Sequence, residues 1–209
     1  MILKDKREFI EFEIESLAIR HFMIVYDKLD KELKSYFLKN INKLSYECRE
    51  LLYFAYAGIQ GNKFKLNVNP LSIDSSSFKY KKDENFTDFT VKQIVTFQRN
   101  HNILPDLNFN ITSFNTKTVL YRFTDCYTKL NNMRNKLAHE MGNLTITDKD
   151  FIEIISDDYI NENASECFGD LDISQMTYEA KSIFSNILFT RKMLDGLGEL
   201  ATKNETMDS

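Results

Sequence analysis

The sequence predicts an all-α fold, an antiparallel helical bundle interrupted by a loop-rich insertion, and three observations carry that prediction. The only prolines, Pro70 and Pro105, fall in the middle third, so no Pro breaks a helix in the first sixty residues or the last thirty. Apolar residues recur at spacings of three and four toward both ends, the period of a helix with one buried face. In 209 residues, 43% hydrophobic and 13% aromatic content is enough for a core of domain size.

Taken in order, Phe9 or Ile10, Ile14, Leu17, Ala18, Ile24, Val25 and Leu29 predict a first helix. Leu33, Phe37, Ile41, Leu44, Cys48, Leu51, Ala55 and Ile59 form a cleaner second stripe ending near Gly58 and Gly61, with a join expected at 27–32 or, since no Gly or Pro marks it, one bent helix. Residues 61–115 have another texture, with both prolines and the Ser75-Ser76-Ser77 tract, and read as an insertion. Its alternations Phe64/Leu66/Val68 and Leu107/Phe109/Ile111 predict two short strands able to pair, with a helix between them through Val91, Ile94, Val95 and Phe97.

A long amphipathic helix is predicted over 116–141, with Val119, Phe123, Cys126, Leu130, Met133 and Leu137 on one stripe and Gly142 as the C-terminal stop. Thr147-Asp148-Lys149-Asp150 resembles a helix start leading into Phe151, Ile152, Ile154 and Ile155. An acidic loop then leads to a last helix over 174–200, through Met176, Ala180, Ile183, Ile187 and Leu194. The whole reads as one domain over 1–203, insertion 61–115 included, with a frayed tail at 204–209.

Composition excludes several classes. No apolar run reaches the ~18 residues of a membrane span and Met1–Arg7 lacks the apolar core of a signal peptide, so the chain reads as cytoplasmic with no membrane partner. Cys48, Cys126 and Cys167 are odd in number and widely spaced, which argues against a disulfide framework or a zinc site. Neither metal nor cofactor is expected: there is no Gly-rich phosphate loop, no His-Glu-x-x-His, and His21 and His101 lack partners at ligand spacing. The net charge of −4 means that any nucleic-acid contact must be local, since phosphate binding draws on basic surface. Residues 121–140 carry Arg122, Lys129, Arg134 and Lys136 against Asp125 and Glu140, whereas 157–172 hold six acids and no Lys or Arg.

The chemistry concentrates in Asn132-Met133-Arg134-Asn135-Lys136-Leu137-Ala138-His139-Glu140. A guanidinium grips a phosphate with two parallel hydrogen bonds at any working pH, and an imidazole moves protons near neutrality. With seven Arg and three His, the bare Arg-x4-His spacing is weakly specific, at about 0.1 chance occurrences per chain. On an ideal helix Arg134 and His139 lie about 140° apart, while Asn135 and His139, at i and i+4, share a face. Read without function, Arg134 and Lys136 are solvated helix residues and His139 is a cation favoured by the helix C-terminus.

The string Arg-Asn-x-x-Ala-His, after a clean apolar heptad and before a Gly, resembles the signature helix of the HEPN superfamily, whose nuclease members carry Arg-x(4–6)-His. The resemblance implies a HEPN-type bundle and a metal-independent endoribonuclease employed in defence or as a toxin. It implies a homodimer in which Arg and His of two protomers meet, and it admits an antitoxin or regulatory partner. By the same resemblance Arg134 would stabilise the phosphorane, His139 would transfer protons at the 2′-hydroxyl or leaving oxygen, and Asn135 would orient either. Members controlled by adenylylation carry a Tyr two residues beyond the His, where this chain has Met141, so that control is not implied. RNA contacts are expected from Lys129 and Lys136, and from Lys79, Tyr80, Lys81 and Lys82, where Phe78-Lys79-Tyr80-Lys81-Lys82 interleaves rings with cations. The alternative is a non-catalytic HEPN-like module that binds nucleotide or protein.

Overall fold

The computed structural model describes residues 6–49, 51–52, 89–139, 145–147 and 149–168, together with 176–207. Among the described residues it is mostly helical, with one two-stranded antiparallel sheet. The chain forms two compact units, residues 34–105 and residues 1–33 with 106–209, so the division falls within the first helix.

Helix α1 runs unbroken over Lys6–Asn40, so the join expected at 27–32 does not exist. Asp27 to Lys31 contains no breaker, and Phe22, Tyr26, Leu29 and Leu33 continue one fully buried stripe through it. The chain turns instead after Asn40, whose buried side chain donates to the Tyr36 carbonyl at 2.9 Å. A 3₁₀ turn at Ile41–Lys43 follows. Ser45 then starts α2, helical at 46–49 and 51–52, by accepting the Cys48 N–H at 3.2 Å.

In the smaller unit, α3 (Val91–His101) bears out the helix expected within the insertion. Thr90 and Gln93 form a reciprocal capping box, satisfying two N–H groups that the first turn leaves without partners. Asn102 ends the helix in the left-handed conformation at φ 48°, which Asn tolerates better than most residues. Phe89 packs edge-on against both Phe37 and Phe97. The alternation expected at 64–68 lies outside the described residues.

In the larger unit the predicted helix over 116–141 starts late. Strand β1 (Asn110–Thr112) pairs with β2 (Leu120–Arg122) in the register Ile111 to Tyr121. Val119 belongs to the hairpin, where its carbonyl accepts from Ser113 N at 2.9 Å, and it is 40% exposed. Helix α4 therefore spans Phe123–His139, with Phe123, Cys126, Leu130, Met133 and Leu137 buried on one stripe, each large side chain contributing roughly 1.5–3 kcal/mol of transfer free energy.

The helix start expected at 147–150 is instead a turn, and residues 151–156 form an irregular strap. Polar side chains from several elements satisfy its backbone, which removes the need for helical hydrogen bonds. Asn186 accepts from Ile152 N and donates to Asp150 O, Ser185 accepts from Ile155 N, and Asn115 donates to Ile154 O at 2.6 Å. Glu153 pins the strap to the hairpin, accepting from Ser113 Oγ at 2.7 Å, Phe114 N at 2.6 Å and the Tyr121 hydroxyl at 2.8 Å. Burial, then Glu153, pushes the Tyr121 hydroxyl up to about 12.

Most of the stretch expected as an acidic loop is helix α5 (Asp157–Phe168), with Asp157 and Asp158 at its positive end. The closing helix α6 covers Tyr178–Met207, running past Lys203 where a frayed tail was expected. An unbroken buried run from Ser182 to Thr190 makes α6 the central helix of this unit, packed on α4 and α5. At Gly196 an added Cβ would stand 2.6 Å from the Phe109 ring, so the close approach of hairpin to helix depends on glycine there. No helix among the described residues is long and apolar enough to cross a membrane.

Candidate functional site

Arg134, Asn135 and His139 all lie on the last turns of α4. With Leu130 as zero, an ideal helix projects Arg134 at about 40°, Asn135 at about 140° and His139 at about 180°. The burial of Arg134 and His139 agrees with that geometry. Arg134, flanking the buried stripe, is half-buried, and His139 on the far side is exposed at the final helical residue, while Asn135, which projects to that far side as well, is half-buried. The Arg134 guanidinium donates through Nη1 to Asn135 Oδ1 at 3.3 Å. Arg134 and Asn135 are thus brought together, whereas His139, on the same face as Asn135, projects about 140° away from Arg134.

A polar cluster that sequence reasoning missed lies beside Arg134. Tyr26 and Asp30 of α1 face Tyr127 and Asn131 of α4, with both Tyr rings 2% exposed. The Tyr127 hydroxyl donates to Asp30 Oδ1 at 2.9 Å, and that of Tyr26 lies 3.0 Å from the Tyr127 hydroxyl and 3.1 Å from Asn131 Oδ1. Burial raises the Asp30 carboxyl above its ordinary value, against the opposing pull of hydrogen bonds from the tyrosines and the charge of Arg134. Burial also drives both phenols well above the ordinary tyrosine range. The usable signal was the spacing of Tyr127, Asn131 and Arg134 at i, i+4 and i+7, which the apolar stripe beside it obscured.

The two lysines expected to contact RNA on this helix are engaged within the unit. Lys136 pairs with Asp150 at 2.8 Å, with the two side chains only 19% and 17% exposed. Thr147 adds its N–H at 2.7 Å and its hydroxyl at 2.8 Å to the same Asp150 oxygen. Burial pushes the Asp150 carboxyl up, but the Lys136 and Thr147 hydrogen bonds outweigh it and hold the group below the usual carboxylate range. Lys129 donates to the Phe151 carbonyl at 3.1 Å. Both cations therefore fasten the strap to α4. Lys79, Tyr80, Lys81 and Lys82 lie outside the described residues.

Elsewhere, His21 Nε2 stands 3.3 Å from Arg191 Nη2, and burial followed by that positive charge lowers its pKa, favouring the neutral ring. His101 lies against Phe97 with ring centroids 6.2 Å apart. Among the described residues, no three His, Cys, Asp or Glu side chains converge on a point that could hold a metal ion. Comparison with protein-family models, with curated proteins and with solved structures finds no match for the chain.

Proposed function

We propose that the chain is a HEPN-type endoribonuclease that cuts RNA by attack of the 2′-hydroxyl, with Arg134, Asn135 and His139 as its working residues. The observation that carries this reading is the pairing of a half-buried guanidinium, steadied by Asn135, with an exposed imidazole five residues on. A steadied guanidinium suits a phosphate, and an exposed imidazole keeps access to water and substrate for proton transfer.

In the reaction a base removes the 2′-hydroxyl proton, the 2′-oxygen bonds to phosphorus, and Arg134 takes up the charge growing on the non-bridging oxygens. The P–O5′ bond then breaks as an acid protonates the departing oxygen. The products are a 2′,3′-cyclic phosphate and a 5′-hydroxyl. General acid–base catalysis contributes about 10² to 10⁴ per group, and charge stabilisation in a water-poor site a comparable factor. Because Arg134 and His139 project about 140° apart on one helix, the arrangement favours a site built from two copies, in which one His139 acts as base and the other as acid. A bacterial-style defence or toxin role follows from the HEPN resemblance.

A second reading, a non-catalytic module for nucleotide or protein, draws support from the engagement of Lys129 and Lys136 within the unit. End-group analysis of cleaved RNA separates the two. A 2′,3′-cyclic phosphate with a 5′-hydroxyl, and resistance of 2′-deoxy substrates, are expected. A 3′-hydroxyl with a 5′-phosphate would overturn the mechanism, and intact RNA would favour the module.

A further inference from the structure

Strand β1 is paired on one side only. Phe123 N donates to Phe109 O at 3.1 Å and Ser113 N to Val119 O at 2.9 Å, so the odd-numbered residues from Phe109 to Ser113 turn their backbone toward β2. By the same alternation Asn110 and Thr112 turn their N–H and C=O groups the other way. Lys192 of α6 caps one of these four groups, donating from Nζ to Thr112 O at 2.9 Å while resting 3.7 Å from the centroid of the Phe114 ring. The Asn110 N–H and C=O and the Thr112 N–H meet no protein group among the described residues, and both residues are exposed. Such an edge is a template on which another chain can pair.

The edge opens on a groove. A cavity of about 330 Å³, some ten times a water molecule's share of liquid volume, lies between β1 and α6. On the α6 side Lys192, Asp195, Glu199 and Lys203 line it at spacings of three and four, one stripe of the helix. Lys192 is engaged with the Thr112 carbonyl and Lys203 stands a turn past Glu199, so the middle of that stripe presents two exposed carboxylates. Backbone donors and an acceptor on one wall suit another backbone, and paired carboxylates on the other suit a cation.

We propose that this groove takes an extended peptide segment of a partner protein, which adds as a third strand along Asn110–Thr112 and sets a Lys or Arg side chain between Asp195 and Glu199. Main-chain hydrogen bonds supply the attachment and the cation supplies the selectivity. The Phe109 ring lies 4.6 Å from that of Phe123 at the start of α4, and Arg134 is eleven residues, or about 16 Å, further along that helix. The groove is thus distinct from the proposed RNA site and stands whether or not the chain cuts RNA.

The test titrates the full chain into fluorescein-Val-Thr-Arg-Thr-Val-amide and follows anisotropy. Two N-methylated versions, one methylated at both Thr and one at Arg and the last Val, report strand geometry, because N–H groups of successive residues point to opposite edges of an extended chain. Saturable binding is expected, weakened about 10-fold or more in one version and within about threefold in the other. Asn110→Pro removes an outward N–H without touching the ladder to β2 and is expected to weaken binding about 2- to 10-fold, with circular dichroism checking that it folds. Asp195→Asn combined with Glu199→Gln is expected to weaken it about 10-fold or more, and citrulline in place of the peptide's Arg to cost the wild type as much and the double variant nothing further. No saturable binding, or equal loss in both N-methylated versions, would overturn the proposal, and neither result depends on a variant folding. Full affinity in the Asp195→Asn, Glu199→Gln double variant would overturn it too. Concentration-dependent dimerisation that Asn110→Pro abolishes, without peptide binding by the wild type, would assign the edge to a second copy of this chain instead.

Discussion

Replacing Asp150 by Ala removes an acceptor on which three hydrogen bonds converge, all at Oδ2, from Lys136 Nζ, Thr147 N and Thr147 Oγ1. A hydrogen bond to a charged group is worth about 1.5–3 kcal/mol when its partner is left unpaired. Thr147 is exposed, however, so its donors turn to water and return most of their share. With side chains 19% and 17% exposed, the Lys136–Asp150 pair lies between surface pairs, worth about 0–1 kcal/mol, and buried ones, which cost about 3–5 kcal/mol to break. The expected loss at pH 7 is therefore about 2 kcal/mol, or a urea midpoint lowered by about 1 M for a slope near 2 kcal/mol per M. The pH dependence has a definite sign. Because the folded-state pKa of Asp150 is depressed, its contribution is fully present above the unfolded value near 3.9 and is lost as pH falls through the lower folded value. Urea unfolding followed by circular dichroism at pH 7, 5 and 3 should show the gap between wild type and Asp150→Ala steady from 7 to 5 and smaller at 3. A gap at pH 7 no larger than the about 0.5 kcal/mol typical of an ordinary surface substitution would show that Asp150 does not anchor the strap. So would a gap that widens on acidification.

Two further predictions concern the interior. Asn186→Leu places an apolar side chain of similar size in a fully buried position but strips partners from Ile152 N and Asp150 O, so it should destabilise by about 2–4 kcal/mol and speed proteolysis between residues 147 and 156. Cys126 is 2% exposed, and burial, reinforced by Asp125, pushes its thiol up to about 12. At pH 8 iodoacetamide should therefore leave the Cys126 peptide unmodified in the native protein and label it in urea; labelling at equal rates in both would show that α4 does not bury that face.

The elements that were legible in the sequence are those whose stability is decided locally. The stripe from Phe123 to Leu137 is buried as its three-and-four spacing predicts, and the spacing of Val91, Ile94 and Val95 places α3, although its Thr90–Gln93 cap, encoded in four residues, went unread. Where long-range contacts decide, periodicity misled. Val119 continues the α4 spacing into a stretch that the hairpin claims, because pairing with β1 satisfies the backbone of Leu120–Arg122. Phe151 to Ile155 has helical spacing but is held as a strap by Glu153 and by Ser185 and Asn186, the latter two some thirty residues away. No local pattern announces such partners.

The candidate site divides along the same line. Helical geometry anticipated the half-buried Arg134 and the exposed His139. It did not anticipate that Lys129 and Lys136 would be spent on the strap, since their partners Phe151 and Asp150 lie beyond the helix end. Nor did it find Asp30 and Tyr26, which reach Tyr127 only because α1 continues through 27–32 without a break.

Whether Arg134 and His139 cut RNA is decided by cleavage of total tRNA and a structured single-stranded RNA in EDTA by wild type, Arg134→Ala and His139→Ala. Cutting by wild type should fall by about 10²-fold or more in each variant, with melting temperatures little changed because neither side chain belongs to the buried core. Intact RNA with wild type, or cuts that persist in both variants, would contradict the nuclease reading and return Arg134 and His139 to being the end of a helix.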